Sequence, residues 1–110
     1  MSREKSSSTG ILTVMYWRDI PAQVIAKSGR TTARRELSRR FQEAIDAAAM
    51  KSGAHGTDAY LEGWRKSGNQ PCSSDLDTVV DAAVARLETE YDSDRLKSLI
   101  AAGGNIEGEA

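Results

Sequence analysis

The chain has 110 residues, 39% of them hydrophobic and 28% charged, with a formal net charge of −1. That is the size of one domain, long enough for a compact core burying roughly 65% of the unfolded surface. Its one cysteine excludes an intrachain disulfide, and no apolar run approaches the ~20 residues of a membrane span. The N-terminal MSREKSSSTG also lacks the apolar core and cleavage site of a signal peptide, so a cytoplasmic location is the expectation.

The charge is unevenly placed. Residues 1–40 hold nine Lys and Arg against three acids, a balance of +6, whereas residues 41–110 hold six against thirteen, a balance of −7. Halves of opposite sign either neutralise each other within the fold or face partners.

Residues 1–9, rich in Ser and charge, are expected to be a disordered tail. From Gly10 to Trp17, β-branched and aromatic residues predict a strand, stopped by Arg18-Asp19-Ile20-Pro21 because Pro21 lacks an amide donor. Ala22 to Lys27 and Arg30 to Glu36 predict two further strands joined by Ser28-Gly29. That loop sets Lys27 opposite Arg30, Ile25 opposite Thr32 and Gln23 opposite Arg34. One face of the hairpin then carries Gln23, Ile25, Lys27, Arg30, Thr32 and Arg34. The other carries Val24, Ala26, Thr31 and Ala33.

Helical signals follow. Ser38 is a good N-cap, and Phe41, Ala44, Ile45, Ala48 and Ala49 form an apolar stripe that stops at Gly53. Thr57 is expected to cap a short helix with Tyr60, Leu61 and Trp64, ending near Gly68, and residues 67–74 have loop composition. Ser74 and Asp77 resemble a capping box for a helix with Leu76, Val79, Val80, Ala83, Val84, Leu87 and Tyr91 on one side. A last helix, Asp94 to Ala102, ends at Gly103-Gly104, and residues 105–110 are expected to be a tail. The expected fold is α+β. A short antiparallel N-terminal sheet of about three strands is followed by three to four helices packed on one face, in a single domain over residues 10–104.

Three segments carry a resemblance: YWRDIPAQV from Tyr16 to Val24, LSRRFQEAID from Leu37 to Asp46, and GTDAYLEGW from Gly56 to Trp64. They resemble a small bacterial "virulence factor" domain family, also similar to a module of conserved virulence factor C, over roughly residues 12–100. That resemblance carries no catalytic residues. It implies at most an accessory role near folate- and corrinoid-dependent methyl-transfer enzymes.

The residues themselves carry little chemistry. His55 is the only histidine and has no local ligand companion, and Cys72 lies near acids rather than cations. Asp75, Asp77 and Asp81 gather at a helix N-terminus, where the dipole explains them. The expectation leans to a non-enzymatic protein with no catalytic residues, metal or cofactor, and a cofactor-dependent enzyme or subunit holding folate or a phosphate ligand on its Arg cluster is a further reading. The basic cluster is the exception. Arg outnumbers Lys there, which suits paired contact with carboxylate or phosphate. The expected partner surface is Trp17, Arg18, Lys27, Arg30 and Arg34, facing an acidic partner protein. Nucleic acid on the same face is the alternative, disfavoured by the pI of 5.8 and by the lack of aromatics among the cations. The other reading is a face neutralised by the chain's own acidic helices.

Overall fold

The structure is a computed structural model that describes residues 10–105. The expected tails therefore lie outside the described residues, apart from Asn105. The fold is α+β. Strands β1 (Gly10–Trp17), β2 (Ile20–Ser28) and β3 (Thr31–Glu36) form an antiparallel meander. Then come α1 (Arg39–Lys51), α2 (Asp58–Glu62), β4 (Trp64–Lys66), β5 (Gln70–Cys72), α3 (Leu76–Glu90) and α4 (Ser93–Ala101).

The sheet has five strands where about three are expected. Both β4 and β5 pair antiparallel with β1, at Met15–Trp17 and at Gly10–Leu12. They act as one edge strand broken at residues 67–69, where the Ser67 amide donates to the Val14 carbonyl. The helix expected to run to Gly68 stops at Glu62, with Gly63 as its C-cap. Three-residue strands, one containing Pro71, are too short to show a period of two; an interrupted edge is where a proline is tolerated.

Two of the expected caps also change. Asp75, not Ser74, occupies the N-cap of α3, so no capping box forms. Ser38 is the N-cap of α1, but its side chain accepts no amide of that helix; its amide and hydroxyl both donate to the Glu88 carboxylate, at 2.7 and 2.9 Å.

The hairpin register shifts by two residues. Ser28 pairs with Thr31, Lys27 with Thr32, Ala26 with Ala33 and Ile25 with Arg34. The loop is Gly29-Arg30, with Gly29 at φ +61° in the first loop position, where a type II′ turn needs it. The shift places Thr32 rather than Arg30 opposite Lys27, which avoids like charges across the ladder. An even shift keeps each side chain on its face, so only Arg30 leaves the face for the turn.

The buried face carries Leu12, Val14, Val24, Ala26 and Ala33. Helix α3 lies across β2 and β3, α1 against β2, and α4 against α1. The predicted stripe of α1 is buried in full, and Leu76, Val80, Ala83 and Leu87 supply the buried side of α3. The short α2 stands apart from this layer, at the end of the sheet, where Tyr60 meets Trp17.

Candidate functional site

Arg18, Lys27, Arg34, Arg35 and Arg40, with Arg65 and Lys66 from later in the chain, divide into three groups, and the period of two in the strands decides most of the division. The first group is the corner at the end of β1. Trp17 pairs with Ile20, so Arg18 and Asp19 form the tight loop, with Arg18 at φ +56°. The Arg18 amide donates to the Gly63 carbonyl at 2.7 Å and the Asp19 amide to Gly104 at 2.8 Å. The Arg18 guanidinium lies 4.6 Å from the Trp17 ring centroid and donates to the Gly103 carbonyl at 2.7 Å. The Trp17 indole N–H donates to the Tyr60 carbonyl at 2.8 Å.

Glycines flank that indole. A Cβ at Gly63 would come within 2.6 Å of Nε1, and one at Gly104 within 2.8 Å of Cζ3. Of the expected partner surface, Trp17 is therefore buried, at 0% exposed, and Arg18 half-buried. Trp17 offers nothing to a partner, and the guanidinium of Arg18 ties the end of α4 to the first hairpin. Arg65 completes the corner by donating to the Arg18 carbonyl at 2.9 Å and pairing with Asp19 at 3.0 Å.

The second group faces the helices. Arg35 pairs with Asp81 at 3.0 Å and with Asp77 at 3.5 Å. Arg40 pairs with Glu88 at 3.1 Å and also donates to the carbonyls of Tyr91 and Glu88. Here acids of the second half of the chain neutralise two cations of the first, Arg35 and Arg40. Asp77 and Asp81, four apart on α3, are partners of Arg35.

The third group lies on the open face. By register, Ile11, Thr13 and Met15 of β1 stand beside Gln23, Ile25 and Lys27 of β2. Next to these come Thr32, Arg34 and Glu36 of β3, and Lys66 of β4 faces Met15. No helix of the α1, α3 and α4 layer covers this side. Ile11, Thr13, Ile25, Lys27, Arg34, Lys66 and Asn69 line a depression of about 410 Å³ there. Among the described residues, no side-chain ion pair engages Lys27, Arg34 or Lys66. Arg30 is exposed in the turn beyond the end of this face.

Sequence reasoning thus brought Lys27 and Arg34 to one face and missed Lys66, Ile11 and Thr13. Lys66 fell in a segment read as helix, although Gly63-Trp64, a helix stop followed by a strand former, marks the change.

The remaining reactive residues are dispersed. His55 is exposed on the loop between α1 and α2. Burial pushes the Cys72 thiol above its ordinary range, so it is held protonated rather than activated. Tyr91 is likewise raised by burial and by Tyr16, with Arg95 opposing the shift. Among the described residues, no group of three His, Cys, Asp or Glu side chains is placed to hold a metal ion. No described helix is long and apolar enough to cross a membrane.

A family model described as "Virulence factor" matches residues 15–100. The chain belongs to the virulence factor family. The match runs from the end of β1 into α4 and takes in Trp17, Arg18 and Gly63 of the corner together with Lys27, Arg34 and Lys66. Neither a curated protein nor a solved structure matches the chain.

Proposed function

We propose that this family member is a non-enzymatic interaction module that docks an acidic partner protein on its open sheet face. Lys27, Arg34 and Lys66 are the docking cations, and Arg30 extends them at the turn. The observation that carries this reading is the division of the charges. Arg35 and Arg40 meet acids of the same chain, whereas the three cations of the open face meet none among the described residues. Among the described residues, this face carries three cations and Glu36 as its single acid, a field that attracts and orients an acidic surface. The strands and turn that carry them are held by backbone pairing, so little ordering is left to do on binding.

The family resemblance points to an acidic subunit of a folate- or corrinoid-dependent methyl-transfer enzyme as the first partner to try. Nucleic acid is the weaker reading, because the pI is 5.8 and no aromatic lines the depression among Lys27, Arg34 and Lys66.

The test compares wild-type protein with a Lys27→Glu, Arg34→Glu, Lys66→Glu variant. Each is immobilised and exposed to lysate, and whatever only the wild type retains is purified and rebound. The expected result is an acidic protein that binds the wild type, weakens as salt rises and fails on the variant. Equal retention by both proteins, or retention of DNA or RNA alone, overturns the reading.

A further inference from the structure

The depression on the open face has an apolar floor. Ile25 and Ile11 are diagonal neighbours on β2 and β1, through the Thr13–Ile25 and Ile11–Lys27 pairs. Ile11 is 37% exposed, one of three large apolar side chains left open among the described residues. The surrounding cations stand on both sides of that floor. Arg34 is directly opposite Ile25 on β3, and Lys27 is the next residue of β2 on the same face. Lys66 lies beyond β1, two strands from Ile25 at about 4.8 Å per strand. At about 410 Å³, the depression takes one amino-acid side chain with its neighbours more readily than a flat surface would.

We propose that the partner's recognition element is an acidic segment with one branched apolar anchor. The anchor, a leucine or isoleucine, sits over Ile11 and Ile25. Carboxylates on one side of it reach Arg34 and Lys27, and carboxylates on the other side reach Lys66. This rests on the acidic-partner reading and narrows it. A uniformly acidic surface would either leave the isoleucine floor uncovered or bury carboxylates against it, at a desolvation cost. A neutral apolar segment would leave three cations unanswered. Only an anchor flanked on both sides by acids satisfies floor and rim together.

The test is a nuclear magnetic resonance titration that follows the methyl groups of Ile11 and Ile25. One probe is a pentapeptide with a central leucine between two glutamates on each side, and the other is the same peptide with serine at the centre. The leucine peptide is expected to bind about tenfold more tightly and to shift both methyls. Ile11→Ser, at a position already part-exposed, removes most of that advantage, and Arg34→Glu with Lys66→Glu weakens both peptides. Equal affinity of the two peptides, both weakened by the charge reversals, overturns the anchor while leaving acidic docking intact. A leucine advantage that persists in Ile11→Ser places the anchor elsewhere and overturns the proposal. Binding of neither peptide counts against both the anchor and the acidic-partner reading.

Discussion

Arg18, Arg34 and Arg35 belong to one β-meander, yet among the described residues only the Arg34 side chain has no partner. Arg18 is spent at the corner, its guanidinium on the Trp17 ring and the Gly103 carbonyl. Arg35, next in sequence to Arg34, points to the opposite side of β3 and meets Asp77 and Asp81. The contrast between the corner and the open face shows that cationic density in a sequence is not the same as available charge. At the corner, the cation stabilises the fold by joining segments far apart in the chain. On the open face, removing the cation leaves no described partner unsatisfied.

The largest effect expected from that contrast is at the corner. Trp17→Ala empties a fully buried site, removes the hydrogen bond to Tyr60 and leaves Arg18 without its ring. Burial of a large aromatic predicts a loss of about 3–5 kcal/mol, read by urea or thermal unfolding. A loss below about 1 kcal/mol would mean that the corner is not part of the core.

Arg40→Ala should fall between the two regions. Its guanidinium is part-buried and serves the carbonyls of Tyr91 and Glu88 as well as the Glu88 carboxylate, so it ties α1 to the end of α3. Truncation leaves those carbonyls without their charged donor. The expected cost is about 1–3 kcal/mol, above the roughly 0–1 kcal/mol of an exposed pair such as Arg35 with Asp81. Chemical denaturation of Arg40→Ala beside Arg35→Ala checks the ranking; equal costs would show that the carbonyl contacts add nothing to the ion pair.

How much of this was legible in the sequence depended on the length of each pattern. The stripe of α1 and the two faces of the β2–β3 hairpin were readable because each runs long enough to show its period. The face assignment even survived an error in the loop, since a shift of two residues returns Ile25 and Arg34 to the same side. The Trp17 corner was not legible. Its meaning depends on Gly63 and Gly104, distant glycines whose missing side chains admit the indole, and nothing local announces that closeness. Lys66 was missed for a related reason. It joins the open face only through pairing of a three-residue strand with β1. The charge split was visible, but which cations the acidic helices would claim was a question of facing, answered only by how α3 lies on the sheet.

The smallest expected change in stability tests the open face. Lys27→Glu with Arg34→Glu alters two exposed side chains that have no ion pair among the described residues. Reversing them breaks no described salt bridge and empties no cavity. It does set new carboxylates near Glu36, so a small penalty is expected, within about 0.5 kcal/mol. The unfolding midpoint should therefore barely move, while affinity for an acidic partner falls. A surface whose charges exist to hold the fold would behave oppositely, losing stability in step with charge. If the double reversal costs as much as Arg40→Ala, then Lys27 and Arg34 are structural cations like those of the corner, and the distinction between the two regions disappears.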